Sequence, residues 1–165
     1  MAKTALLVGG TAATGQPIAD EIVKRGYDLT IYHRGTHEVP GVMQYEHIHG
    51  DPHFLETIQQ DLGDRKWDLV VATYGRIRLL AEHLVGKTGR LITVGGSPVA
   101  KKTQGLPGYE TDGYVDAGNR LVDRMIETEQ RVIGLGKEGH YVSTVIRYPY
   151  VYGPYSVISP EWHVI

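Results

Sequence analysis

The chain has 165 residues, 41% of them apolar, and no cysteine; that is the length of one domain with enough apolar residues for a core, and it excludes disulfides, thiolate metal sites and cysteine nucleophiles together. A formal net charge of −2 offers nothing to a polyanion, and no apolar run reaches the length of a membrane span, so neither nucleic acid nor a bilayer is an expected partner. A single lysine ahead of a short apolar run that leads straight into glycines does not read as a signal peptide, so the expected compartment is the cytoplasm.

The stretch from Thr4 to Arg34 reads as strand, glycine-rich turn, helix and strand. Leu6, Leu7 and Val8 suit a strand buried on both faces, and Gly9-Gly10 ends it. Pro17 falls in a first helical turn, where its missing N–H has no partner to lose. Ile18, Ile22 and Val23 recur at helical spacing and are expected to face the sheet, Gly26 stops the helix, and Leu29 to Tyr32 form the second strand. The turn between strand and helix is suited to anions. Gly9 allows a sharp bend, small residues let a ligand approach the backbone, and the helix start near Gly15 presents unpaired amides at a positive dipole end. A dinucleotide pyrophosphate fits this geometry, with Gly9, Gly10, Thr11, Ala12, Thr14 and Gly15 around it. Gly9 and Gly15 hold the first and third glycine positions of such a turn, and Ala12 stands at the middle one.

At the tip of the second strand stand His33 and Arg34, with no carboxylate. An acidic residue there would bind the ribose 2′-hydroxyl of NAD, whereas arginine suits the 2′-phosphate of NADP, because its planar fork donates in pairs and keeps its charge. NADP is therefore the expected cofactor and NAD the alternative; the competing reading of Arg34 is a solvated loop charge. A third strand is expected over Met43 to Ile48. Asp51, beyond it, could meet an adenine amino group or cap a helix opened by Pro52. His47 and His49 would share a strand face, with His53 nearby, but spacing supplies no further ligand and no metal is expected. Phe54, Leu55, Ile58 and Leu62 mark the next helix face, and Trp67 to Ala72 a fourth buried strand. Thr73 and Tyr74 follow at the mouth where a nicotinamide would lie.

A helix over Ile77 to Val85 and a fifth strand from Arg90 to Val94 follow, and the strand runs into Gly95-Gly96-Ser97. Residues 99 to 113 form the longest irregular stretch, a length that tends to be functional at the ligand edge of a sheet. A long helix is expected from Val115 to Leu135, its apolar face carrying Leu121, Val122, Met125, Ile126 and Ile133, and a sixth strand from Tyr141 to Ile146. The whole predicts a doubly wound α/β fold, a parallel sheet in the order 3-2-1-4-5-6 with helices on both faces.

With Gly9-Gly10-Thr11 and Gly15, His33-Arg34-Gly35, Gly50-Asp51 and the run from Arg147 through Val151-Tyr152-Gly153-Pro154, the chain resembles the extended short-chain dehydrogenase/reductase family, also called the NAD-dependent epimerase/dehydratase family. The Gly-Gly-Thr opening and the Arg-Gly tip are also similar to the branch containing chloroplast stem-loop-binding proteins, though no basic face supports RNA binding here. The resemblance implies a nicotinamide pocket lined by Tyr148 and Val151, and a serine or threonine at the end of the fifth strand, which Ser97 matches by position. The family's tyrosine with a lysine four residues on has no counterpart: with Glu129 aligned to the glutamate of the catalytic helix, Leu121 and Met125 stand at those positions. Leucine and methionine can neither move a proton nor hold a ribose. Either another acid serves, with Tyr74, Tyr109 or Tyr114 as candidates beside Lys101 or Lys102, or no hydride chemistry occurs. The expected catalytic set is Ser97, Tyr109 and Tyr114.

Residues 1–150 are thus expected to form the dinucleotide-binding domain and 151–165 to begin a substrate lobe that the family continues further. The Trp162 to Ile165 tail implies a chain cut short, or a partner, a second copy included, covering that edge. Two readings of function remain: an NAD(P)-dependent oxidoreductase or epimerase acting on a small carbonyl or sugar-like substrate, and an NADP-binding sensor or scaffold without catalysis.

Overall fold

A computed structural model of the chain describes residues 2–11, 14–36, 39–101, 109–116 and 118–148. Six parallel strands form one sheet in the order β3-β2-β1-β4-β5-β6, as the sequence predicts. They are β1 (Lys3–Val8), β2 (Tyr27–His33), β3 (Glu46–His49), β4 (Leu69–Ala72), β5 (Arg90–Gly96) and β6 (Val142–Tyr148). The helices are α1 (Gly15–Lys24), α2 (Leu55–Leu62), α3 (Arg78–His83) and α4 (Arg120–Lys137).

The sheet is wound in two directions from β1, and crossovers between parallel strands are right-handed, so the connections must divide between its faces. They do. Ala5, Leu7 and Ile31 pack with Ala19 and Ile22 of α1 and with Val42 from a 3-10 turn at Pro40–Val42. Leu6, Val8, Val70 and Ala72 point the other way, onto Ile58 and Leu62 of α2, Leu80 and Ala81 of α3, and Val132 and Leu135 of α4. Alternate residues of one strand thus serve two cores, which is why β1 and β4 are apolar without a polar face.

Several element bounds differ from the sequence expectation, each for a packing reason. Val42 takes the core position in the chain entering β3, so Met43 is exposed and the strand begins only at Glu46. The turn at Asp51–His53 delays α2 to Leu55, which leaves Phe54 and Leu55 exposed and Ile58 and Leu62 to carry the face. In α1, Ala19 is buried where Val23 was expected to be, and Val23 faces solvent. Trp67 bridges to Thr88 ahead of β4 rather than lying within it. α4 starts at Arg120 and buries Glu129, Val132 and Leu135. Its first turn overhangs the carboxyl edge of the sheet, so Leu121 is 63% exposed instead of covered.

Among the described residues no helix is long and apolar enough to cross a membrane. Val142 and Ile146 of β6 are exposed on the face that α1 covers further along the sheet. Ala12, Val151 and Lys102, and all of 149–165 with the expected substrate lobe, lie outside the described residues.

Candidate cofactor site

In an open sheet of this winding, ligands bind beyond the carboxyl ends of the strands where the winding reverses. Here that point lies between β1 and β4, where Val8 pairs with Ala72. A cavity of about 600 Å3 opens there, walled by Gly9, Gly10 and Thr11 after β1, by His33 and Arg34 at the end of β2, and by Thr73 to Arg76 after β4. Clefts of similar volume around Gly89 lie at the strand starts, away from this edge.

The turn after β1 is pinned by its neighbours. Gly9 N–H donates to the Tyr32 carbonyl at 2.9 Å. The Thr73 hydroxyl accepts the Gly10 N–H at 3.1 Å and donates to the Val8 carbonyl at 3.1 Å. Gly9 and Gly10 have φ of 90° and 81°, the left-handed region that favours glycine. A Cβ on Gly9 would stand 2.4 Å from the Thr73 hydroxyl oxygen, so glycine is needed there for space as well as conformation. Gly15 is tighter still: its Cβ would lie 2.0 Å from the Gly10 carbonyl oxygen. The helix can approach the turn this closely only without a side chain, the packing role of the third glycine in such turns. The first amides of α1, Gly15 and Gln16 among them, have no intrahelical acceptors.

At the β2 end of the cavity, Arg34 is exposed and His33 is buried beneath it. Asp51 does not cap α2, whose first turn follows Phe54 with no side-chain cap. Its Oδ1 accepts the His53 N–H at 3.0 Å and the His53 Nδ1–H at 2.6 Å. Burial alone would raise the Asp51 pKa, but the His53 amide and ring, with Arg34 beyond, hold it below the ordinary value. Gly50 leaves room behind: its Cβ would meet Asp61 Oδ2 at 1.7 Å, and that oxygen accepts the buried Tyr32 hydroxyl at 3.1 Å.

Two cavity residues carry buried polar atoms without hydrogen-bond partners among the described residues, the Tyr74 hydroxyl and His53 Nε2. Their rings meet edge to face with centroids 5.5 Å apart. Buried polar groups are rarely left unpaired in proteins, and both suit a ligand that brings its own donors and acceptors. Burial, followed by nearby Tyr32 and Asp51, drives the Tyr74 pKa well up, so the phenol stays protonated.

The other half of the edge is organised by one carboxylate. Glu129 of α4 is 5% exposed. Arg147 of β6 donates to it through Nε at 3.0 and 3.1 Å and also through a terminal nitrogen. The Tyr114 hydroxyl donates to the same Oε1 at 3.0 Å, and the Arg147 guanidinium lies 5.1 Å from the Tyr114 ring centre. Burial first, and the Glu129 charge and hydrogen bond next, raise the Tyr114 pKa, so it is held as a neutral acid. Ser97 is exposed and starts a 3-10 turn where β5 ends. Tyr109 is 62% exposed, with its amide bound to Asp112 at 2.7 Å. The fold thus gathers Gly9, Gly10, Thr11, His33, Arg34, Thr73 and Tyr74 around one cavity, with Thr14 and Gly15 beside it. Ser97, Tyr114 and Tyr148 lie along the β5–β6 half of the same edge. Sequence reasoning missed the Glu129–Arg147–Tyr114 cluster and the Thr73 clamp, whose partners are far apart in the chain.

No protein-family model matches the sequence, and no curated protein matches it. Solved structures do match in fold. A dTDP-glucose 4,6-dehydratase from Bacillus anthracis in complex with NAD superposes with a TM-score of 0.75 and 14% identity, over 94% of this chain and 57% of its own. A Thermus thermophilus UDP-glucose 4-epimerase in complex with NAD gives 0.78 and 16%, over 93% and 57%. The Bordetella bronchiseptica enzyme WbmH in complex with NAD+ gives 0.77 and 14%, over 96% and 60%. The chain spans somewhat over half the length of these structures, and it has the fold of the corresponding part of epimerase/dehydratase-type enzymes.

Proposed function

We propose that the chain is the dinucleotide-binding part of an NADP-dependent oxidoreductase or epimerase/dehydratase of the short-chain dehydrogenase type, acting on a small carbonyl or sugar-like substrate in the cytoplasm. The observation that carries this reading is the cavity at the reversal of the sheet, floored by Gly9 and Gly10 and closed at its β2 end by Arg34, with no carboxylate among the described residues that line it. The first amides of α1 hold the pyrophosphate, Arg34 the 2′-phosphate with the buried His33 beneath it, and Asp51 the adenine, while Tyr148 and Val151 line the nicotinamide. When bound, the dinucleotide supplies a hydride donor or acceptor. Ser97 hydrogen-bonds the substrate oxygen. Tyr114, kept neutral by burial and then by Glu129, serves as a proton donor rather than a base, which suits the reductive direction; Tyr109 is the alternative acid. A continuation of the chain, or a partner, covers the exposed Val142 and Ile146 of β6.

A second reading, an NADP-binding sensor or scaffold without catalysis, draws on α4. Leu121 is exposed at the edge, and Met125 packs so closely on Gly96 that a Cβ there would lie 2.6 Å from its methyl carbon. Calorimetric titration with NADPH and NADH, on the wild type and on Arg34→Ala, tests the shared basis. The substitution is expected to weaken NADPH by about 1–3 kcal/mol, the worth of a charged hydrogen-bonded contact, and to leave NADH unchanged. Equal losses for both cofactors would remove Arg34 from the phosphate site. Intact NADPH binding with no NADPH consumed across a broad carbonyl panel would favour the sensor over the enzyme.

A further inference from the structure

Spacing in the sequence groups His47 and His49 with His53, but the fold groups them with His33. In the β2–β3 ladder His33 pairs directly with His49, and His47 lies two residues back on the same face. The His33 ring centre is 5.0 Å from that of His47 and 4.9 Å from that of His49. One ring nitrogen from each of the three lies within 4.8 Å of the others. Burial falls along the set: His33 is buried, His47 is half-buried and His49 is exposed, so the cluster opens to solvent through His49.

We propose that His33, His47 and His49 form a binding site for a divalent transition-metal ion of the zinc type. Three imidazoles without a thiolate are a donor set for zinc, cobalt, nickel or copper rather than for calcium or magnesium, which prefer oxygen. Around a tetrahedral ion with bonds of about 2.0–2.1 Å the ligand nitrogens stand roughly 3.3 Å apart. His33 Nε2 and His47 Nδ1, now 2.7 Å apart, must part slightly, and the exposed ring of His49 must swing in.

The protons fit this assignment. The Gly35 N–H donates to His33 Nδ1 at 3.2 Å, so His33 carries its proton on Nε2 and donates it to His47 Nδ1. His47 then holds its own proton on Nε2, 2.9 Å from the Val42 carbonyl oxygen. That is the arrangement metal-binding histidines adopt: one nitrogen turned inward as a lone pair, the other anchored to a backbone carbonyl. Of the His33–His47 pair, His33 changes tautomer when the ion takes its Nε2: its proton moves to Nδ1 and the Gly35 contact is released. The ion replaces the N–H that now bridges His33 and His47.

The test uses Co2+ as a spectroscopic probe on untagged chain. The wild type is expected to take up one equivalent with the visible absorption of a tetrahedral nitrogen site, displaced by Zn2+. His49→Ala, at an exposed position that circular dichroism will show to be folded, should weaken uptake more than about tenfold, the lower end of what losing even a supporting partner costs a metal site. His47→Gln should do the same, and His83→Ala and His140→Ala, at histidines elsewhere, should not. No tetrahedral signal from the wild type, or a signal that survives both His49→Ala and His47→Gln, would overturn the assignment. The readout is independent of nicotinamide cofactors.

Discussion

Thr73 is the residue through which β4 fixes the turn after β1, and Thr73→Val isolates that contribution because valine keeps the shape and removes the hydroxyl. Two hydrogen bonds disappear, with unequal consequences. The Val8 carbonyl still receives the Thr73 N–H at 3.0 Å, so losing the hydroxyl donor costs it little. The Gly10 N–H loses its acceptor in a buried turn. An unsatisfied buried donor costs about 1–3 kcal/mol, so the expected loss is about 2 kcal/mol, a fall in melting temperature of roughly 4–8 °C for a chain of this size. Thr73→Ser keeps the hydroxyl and should lose less than half as much. Urea unfolding with an unchanged slope reads the stability, and NADPH titration reads the turn, which should bind less tightly once Gly10 is no longer pinned. If Thr73→Val melts with the wild type, or if serine and valine are equally harmful, the hydroxyl does not hold the turn.

A Cβ at Gly15 would press on the Gly10 carbonyl, a backbone atom that cannot swing aside, so Gly15→Ala should cost about 3 kcal/mol or more, whereas Gly134→Ala, whose new methyl meets nothing nearer than Glu138 Oε1 at 3.9 Å, should stabilise α4 by about 0.5–1 kcal/mol; chemical denaturation of the pair compares them directly. Glu129→Gln leaves the Arg147 charge without its counter-ion, and because that side chain keeps 21% of its surface exposed the expected loss is about 2–4 kcal/mol rather than the full cost of a stranded buried charge. Burial, and then Lys87, lower the His83 pKa, so the unfolded chain takes up a proton that the folded chain refuses. Stability should therefore fall as pH drops through the ordinary histidine value of about 6.5, and His83→Gln should shrink the difference between urea midpoints measured on either side of it.

The strand order was legible because the physics that sets it is local. Leu6-Leu7-Val8 and Leu69 to Ala72 are buried on both faces and so must be continuously apolar, and the right-handed crossover rule then leaves few windings. Gly9, Gly10 and Gly15 were legible for a related reason: left-handed backbone at the first two, and a Gly10 carbonyl oxygen 2.0 Å from where a Gly15 side chain would begin, admit no other residue. Element edges were less legible. Met43 and Phe54 have the composition of core residues and lie outside the core, because Val42 and the Asp51–His53 turn settle the register first. The polar clusters left no trace in any window. Thr73 and Gly10 are separated by 63 positions, Arg147 and Glu129 by 18, and His33 and His47 by 14. Each pair becomes adjacent only when the strand, turn or helix that carries one member packs beside the element that carries the other.

Those ends are held by two kinds of force, and the division has a consequence for function. Around the turn after β1 the fixing contacts are amide and hydroxyl hydrogen bonds and close glycine packing, which salt and moderate pH leave alone. Around β5 and β6 the fixing contact is a charge: Glu129 gathers Tyr114, α4 and Arg147, joining a loop, a helix and a strand through one carboxylate. Among the described residues β6 has a ladder partner on one side only, so this cluster carries much of what positions the strand end beyond its pairing with β5. A perturbation of Glu129 should therefore displace three elements of the substrate half together and leave the pyrophosphate cradle standing. In that case Glu129→Gln would lose stability and any turnover while retaining NADPH affinity, a separation that a single continuous site, fixed by one set of contacts, would not allow.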